Sequence, residues 1–361
     1  MAGAQQLHNE AVTLARAGRS REASDKLLSA IRTAGEANVD PRSLKALWQI
    51  ARAEGDWKTA LAAGFRAAVR DPQDFPFVDA VVRSLHECPP QALLGDSGFR
   101  SRPMAIRPPS LSVVVVSRDD ERYAAVDAQY EKAFSAWPHE RIRVREASSM
   151  YDGYGRGFAR SRGELVVFSH DDIRFAVPDF AARLAEAMSK ADVAGIAGTT
   201  KVSGPALLWS GHPYLYGAVT HKAPQDAHYE FDLISLRGPR IEQAQGLDGV
   251  FIAARRDWVQ RIGFDPEGIP GFHFYDLDFS FRAYLGGARL VIACDLALIH
   301  QSRGIVDQGW DAAQAAFRVK FPQLNSAAGK HRHWYAVPLP DEEAVRLHYA
   351  KLFAAWELSL P

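Results

Sequence analysis

Apolar residues in the first ninety positions recur at helical spacing. Leu7, Ala11, Leu14 and Ala15 form one stripe, and Leu27, Leu28 and Ile31 form a second. Ala17-Gly18-Arg19 and Glu54-Gly55-Asp56 interrupt the pattern, with glycine able to take the left-handed conformation that ends a helix. Residues 1–88 are therefore predicted to be helical throughout. Between 89 and 110 the periodicity fades and prolines gather at Pro89, Pro90, Pro103, Pro108 and Pro109, which predicts a linker.

From Leu111 the pattern changes. Short, mainly apolar runs at 111–116, 164–169 and 193–197, with a second strand expected at 141–146, alternate with helical stretches at 121–136, 154–162 and 179–190. Such a βαβαβα order predicts a parallel sheet with right-handed crossovers. Further on, 247–254 reads as a turn feeding a strand, 255–262 as a helix, and 290–293 and 296–299 as strands. A helix starts near Tyr275, with Phe274, Leu277, Phe281 and Leu285 on its apolar face. The α/β domain is expected to span 111–325, with residues 326–361 forming a loop and an amphipathic helix (341–357) that packs on it.

Composition narrows the function classes. Lys plus Arg and Asp plus Glu are 43 each, so no basic footprint for nucleic acid is present. Cys88 and Cys294 are too few for a disulfide framework and lack metal-site spacing. No apolar stretch reaches the roughly 20 residues that span a bilayer, and the start lacks a basic-then-apolar signal pattern. The expected location is cytoplasmic, with peripheral attachment at the inner membrane face left open.

Candidate chemistry starts at residues 164–172, Glu-Leu-Val-Val-Phe-Ser-His-Asp-Asp. A buried strand runs directly into His170, Asp171 and Asp172, and ligand sites of α/β sheets gather at the carboxyl ends of strands. Mg²⁺ and Mn²⁺ take carboxylate oxygens together with substrate phosphate oxygens. This arrangement suggests a metal–diphosphate site; a polar turn capping the next helix would look the same. Neither Gly-x-Gly-x-x-Gly nor Gly-x-x-x-x-Gly-Lys-Ser/Thr follows the first strand, which argues against a dinucleotide fold and a P-loop. Gly153-Tyr-Gly155-Arg-Gly157 fits neither fingerprint and is expected to shape a turn and a close helix approach.

Two family resemblances emerge. Gly18 and Gly55 are 37 residues apart, and each is followed five positions later by alanine, Ala23 and Ala60. That layout resembles degenerate tetratricopeptide repeats, implying a packing domain, a dimer surface or a groove for a protein partner. Residues 111–305 resemble GT-A-fold nucleotide-sugar glycosyltransferases of the family-2 type, by four features in order. These are a strand ending in Ser117-Arg118, an acidic metal motif at His170-Asp171-Asp172, a turn at Asp248-Gly249 before Phe264-Asp265, and Tyr275-Asp276-Leu277-Asp278-Phe279-Ser280 followed by a strand and His300. The His-x-Asp metal motif is similar to that of a bacterial subgroup. His170 stands for the usual first aspartate and Tyr275 for the usual glutamate.

The resemblance implies a GT-A catalytic domain, Rossmann-like with a mixed, mainly parallel sheet, behind an N-terminal helical-repeat domain. Asp172 and His300 then hold Mn²⁺ or Mg²⁺, and one imidazole ligand suits Mn²⁺ better. Ser117, Arg118, Glu146, His170 and Asp171 contact a UDP- or GDP-type sugar donor. Asp276 is the general base of an inverting transfer, and Asp248 and Gly249 lie on the acceptor side, although Asp248 could equally brace a turn. Asp278 points away from Asp276 on a helix and is expected to pair structurally. Lys330-His331-Arg332-His333-Trp334-Tyr335 could close over the diphosphate or form a solvated turn, and Trp209 and Trp310 could stack on a sugar or fill core. The implied activity is metal-dependent transfer of a sugar to a hydroxyl of a glycan, lipid-linked glycan or protein. A nucleotidyltransferase and a non-catalytic scaffold are the alternatives.

Overall fold

A computed structural model describes residues 2–35, 38–95, 99, 101–106, 109–203, 213–223, 225–264, 269–304, 307–324 and 334–361. Asp265-Pro266, Trp209 and the basic segment 330–333 lie outside these residues. The chain forms two compact units, Met1–Arg100 with Leu347–Pro361, and Ser101–Arg346.

The first unit carries α1 (Ala2–Arg16), α2 (Ser20–Ala34), α3 (Pro41–Ala53), α4 (Trp57–Arg70), α5 (Phe75–Glu87) and the short α6 (Pro90–Leu94). Asp40, Asp56 and Asp74 cap α3, α4 and α5 by accepting backbone N–H bonds, satisfying donors a helix start leaves open. Gly18 and Gly55 take φ of +76° and +73° at the predicted turns. Ala11, Leu27, Ile31, Leu44, Leu47, Ala63 and Ala67 form the core, and Ala23 and Ala60 are fully buried. The C-terminal segment was expected on the α/β domain, yet residues 347–361 group with these helices. The buried Lys351 supplies a reason. Its ammonium donates to the carbonyls of His86 (2.8 Å) and Cys88 (3.0 Å), at the electronegative end of α5.

The second unit holds β1 (Leu111–Val116), α7 (Asp120–Ala133), β2 (His139–Val144), α8 (Met150–Arg160), β3 (Leu165–Ser169), β4 (Ile173–Phe175) and α9 (Phe180–Lys190). Then follow β5 (Val193–Gly195), β6 (Ala197–Thr199), β7 (Leu215–His221), β8 (Tyr229–Leu233), β9 (Arg240–Glu242), β10 (Gly246–Leu247), β11 (Phe251–Arg255) and α10 (Arg256–Ile262). The last elements are α11 (Tyr275–Leu285), β12 (Leu290–Ala293), β13 (Leu298–His300), α12 (Gln308–Lys320), β14 (Tyr335–Leu339) and the start of α13 (Glu342–Glu357), whose residues from Leu347 on belong to the first unit. Within the linker, the backbone N–H of Arg102 already bonds Asp179 of this unit at 2.8 Å.

One sheet runs β2-β1-β3-β11-β5-β12-β9, and a second runs β10-β6-β7-β13-β4 with β8 on β7 and β14 on β8. In the first sheet β1 is parallel to β2 and β3, and β12 is parallel to β5, while β11 lies antiparallel between β3 and β5. With β9 antiparallel to β12, three of its six pairings are parallel and three antiparallel, so the sheet is mixed, as expected, but not mainly parallel in its pairing. Gly153-Tyr-Gly155-Arg-Gly157 lies inside α8 rather than in a turn. A Cβ on Gly157 would come within 2.1 Å of Val114, and one on Gly153 within 2.5 Å of Val116, so these glycines let α8 lie flush on β1. On α11, Leu285 is 56% exposed instead of lining the apolar face, whereas Phe279 is fully buried.

Two strand pairings assemble the site. In the second sheet His300 on β13 lies opposite Ile173 on β4, and Gln301 N donates to Asp172 O at 2.8 Å. In the first, antiparallel β11 sets Phe251 beside Ser169, so the preceding turn, Asp248-Gly249-Val250, flanks the exit of β3. His170 N then donates to Val250 O at 3.2 Å.

Candidate active site

His170, Asp172 and His300 converge at these strand ends. His170 Nδ1 lies 3.4 Å from His300 Nε2 and 3.8 Å from Asp172 Oδ1, and His300 Nε2 lies 3.3 Å from Asp172 Oδ1. In a triangle with those sides, the point equidistant from the three atoms is about 2 Å from each. Metal–nitrogen and metal–oxygen bonds of borderline divalent ions are roughly 2.0–2.2 Å long. The three atoms therefore suit one small cation with little rearrangement, and among the described residues they are the group of His, Cys, Asp and Glu side chains so gathered. Two were expected as ligands from the sequence; the third, His170, was expected on the nucleotide.

The electrostatics fit the same picture. Burial disfavours ionisation of Asp172, but His300, hydrogen-bonding to it, and His170 outweigh this and hold the carboxyl well below its ordinary range. Burial, followed by the charge of His300, pushes His170 down to about 4, so its ring is neutral near pH 7. Asp171 is raised by burial first, with Asp172 adding to the rise and Ser117 opposing it. Asp171 thereby links the His170, Asp172 and His300 cluster to the end of β1. There Ser117 N donates to Val144 O at 3.0 Å and the exposed Arg118 donates to Ala147 O at 3.1 Å. Glu146 is exposed just past β2, and its carbonyl accepts from Arg156.

Asp276 sits in the first turn of α11, partly open to solvent. Its pKa is raised to about 7 by burial and then by the neighbouring Asp248, against hydrogen bonds from the Leu277 and Gly249 backbone. Asp248 accepts from Val250 N at 3.0 Å, so it braces its turn while facing Asp276. Ser280 Oγ donates to Asp276 O at 2.6 Å and accepts from Leu247 N at 3.0 Å, tying α11 to β10. Asp278 is wholly buried and pairs with Arg282 and Lys320, both at 2.9 Å. Helix α11 follows Phe274, whose φ of +61° is unusual for an aromatic residue.

Several neighbours had no role in the sequence reading. Tyr275 is buried, with its hydroxyl 2.8 Å from His170 Nε2 and donating to Gly249 O at 3.1 Å. His221, at the end of β7, lies opposite His300, with ring centroids 5.6 Å apart. Asp232 on β8 approaches His221 at 3.6 Å and is raised to about 7 by burial and by Glu230. Only Tyr275 left a trace in the sequence, as a departure from the expected glutamate.

A mixed α/β sheet thus carries a cluster of two imidazoles and a carboxylate at its strand ends, with a raised carboxyl in the same unit. Residues 112–320 match the sequence model described as "Glycosyltransferase like family", more than half of the chain, and the chain belongs to that family. Membership assigns glycosyl transfer to this domain rather than nucleotidyl transfer or a scaffold role. No curated protein matches the sequence. Among solved structures, the mannosyltransferase PcManGT from Pyrobaculum calidifontis, in complex with GDP-Man and Mn²⁺, is similar over 82% of this chain and 84% of its own, at 11% identity and a TM-score of 0.38. GalNAc-T7 with UDP, GalNAc and Mn²⁺ is similar over 56% of this chain and 44% of its own, at 13% identity and a TM-score of 0.33.

Proposed function

We propose that the enzyme transfers a sugar from a UDP- or GDP-type donor to a hydroxyl acceptor, with inversion, using a divalent cation. The convergence of His170, Asp172 and His300 on one cation-sized point carries this reading. A cation bound there neutralises charge on the departing diphosphate. Ser117, Arg118, Asp171 and Glu146, around the ends of β1 and β2, hold the base and ribose. Asp276 accepts the acceptor proton as the acceptor oxygen bonds the anomeric carbon and the diphosphate oxygen leaves with the electron pair of the broken bond. A base with a pKa near 7 suits that task at neutral pH, because it is ionised enough to act and basic enough to take the proton.

The acceptor is a glycan, a lipid-linked glycan or a protein, and the helical unit offers a surface for a protein partner or a second copy. Among the described residues no helix is long and apolar enough to cross a membrane; we place the enzyme in the cytoplasm, at most peripheral to the inner membrane face. Calorimetric binding of UDP and GDP with Mn²⁺ and with excess chelator tests the donor site. At least one nucleotide should bind only with metal. Equal binding in chelator, or none in either condition, would remove the proposed site.

A further inference from the structure

The hydroxyl of Tyr275 stands among three groups, the Gly249 carbonyl at 3.1 Å, His170 Nε2 at 2.8 Å and the hydroxyl of Tyr154. A carbonyl oxygen can only accept, so the Gly249 contact is a hydrogen bond only when the single phenol proton points to it. The phenol oxygen then offers a lone pair to His170, and a hydrogen bond there requires a proton on Nε2. A neutral imidazole carries one N–H, which leaves Nδ1 with its lone pair. Nδ1 is the atom that faces His300 Nε2 and Asp172 Oδ1.

We propose that Tyr275 is a positioning residue that fixes His170 in the Nε2–H tautomer, making His170 Nδ1 a third metal ligand beside Asp172 and His300. This inference rests on the metal reading above and sharpens it. The resulting donor set is two imidazole nitrogens and one carboxylate oxygen, which suits Mn²⁺ and other first-row transition ions and disfavours Mg²⁺. The relay is built into the backbone. A Cβ on Gly249 would lie 2.3 Å from the Tyr275 hydroxyl, so only glycine lets the carbonyl and phenol meet this way. Burial of Tyr275 protects the bond from exchange with water. Outer partners of this kind commonly change metal affinity 10- to 100-fold when removed.

The test uses the full chain labelled with ¹⁵N-histidine, free of metal, at neutral pH. Two-bond proton–nitrogen NMR correlations report the tautomer of His170, assigned by loss of its signals in His170→Gln. Mn²⁺ and Mg²⁺ affinities are measured without nucleotide, by electron paramagnetic resonance of free Mn²⁺ and by competition. The expected results are an Nε2–H tautomer and Mn²⁺ bound more tightly than Mg²⁺. Tyr275→Phe should lose about 10- to 100-fold in Mn²⁺ affinity, and His170→Asp should narrow the preference for Mn²⁺ over Mg²⁺. An Nδ1–H tautomer in the wild type overturns the proposal, and this measurement needs no variant to fold. A folded Tyr275→Phe with wild-type Mn²⁺ affinity overturns it too. If Mn²⁺ binds and Asp172→Ala abolishes it, either result removes Tyr275's role but leaves the metal site standing. If the wild type binds neither ion, the metal reading itself falls, and the proposal with it.

Discussion

Replacing Asp276 by asparagine should make the enzyme both slower and, above neutral pH, more stable. The carboxyl has a pKa of about 7 in the folded chain against an ordinary 3.8. Between those values the folded state keeps a proton that the unfolded state has released, so stability falls as pH rises through the window and the full penalty remains above pH 7. The gap corresponds to a ceiling of roughly 4 kcal/mol. Because the side chain keeps some solvent contact, about 1–2 kcal/mol is the expected gain at pH 8 for an asparagine that carries no charge. At pH 4, where the wild-type carboxyl is protonated in the folded state, the gain should shrink toward zero. Loss of a general base costs about 10²- to 10⁴-fold in rate. Thermal or urea unfolding at pH 4 and pH 8 would be set beside turnover of a donor sugar, with hydrolysis by water standing in until an acceptor is found. Wild-type turnover should itself rise with pH along a limb near 7. Near-normal turnover in Asp276→Asn would refute the base assignment and turn attention to Asp248. A variant no more stable than wild type at pH 8 than at pH 4 would refute the electrostatic account of the site.

Asp172→Ala removes the carboxylate shared by both histidines, so nucleoside diphosphate affinity in Mn²⁺ should drop at least about 10-fold, or ~1.4 kcal/mol, by calorimetry; unchanged affinity would exclude Asp172 as a ligand. Gly249→Ala places a Cβ 2.3 Å from the Tyr275 hydroxyl and 2.8 Å from Asp276 Cβ, so metal affinity and turnover should fall together; a variant impaired in neither would contradict the packing. Ser280→Ala leaves Leu247 N without its acceptor and should cost about 1–3 kcal/mol in urea unfolding, with the larger effect on turnover because α11 loses its tie to β10. A chain of residues 101–346 should retain metal-dependent nucleotide binding, since every proposed donor-site residue lies in that unit, whereas deleting 1–88 alone strips Lys351 of the His86 carbonyl. If the 101–346 chain folds without binding nucleotide, the two units are not separable in function.

The succession of helices, linker and α/β elements was legible in the chain because each depends on local apolar spacing. Residues 111–115 and 165–169 are buried on both faces and so read as largely apolar runs. Asp172 lies in an acidic motif at a strand's exit, whereas the roles of Asp172, His300 and Asp276 were named through the family resemblance. Only the tertiary structure decided who meets whom. Strand β11 carries the same apolar signal as its parallel neighbours, and its reversed direction, set by pairing with β3 and β5, is what brings Asp248 and Gly249 to the exit of β3. His170 and His300 are 130 residues apart and meet through the pairing of β4 with β13. Tyr275 reads in the sequence as a substitution without a role, and only the fold sets its hydroxyl against His170 Nε2 and the Gly249 carbonyl. The C-terminal segment, amphipathic by sequence, could have covered either unit, and the acceptors available to Lys351 at the end of α5 selected the helical one. Apolar periodicity is a property of neighbours along the chain, whereas partner choice, strand direction and hydrogen-bond polarity are set by groups far apart in sequence, whose approach no local pattern encodes.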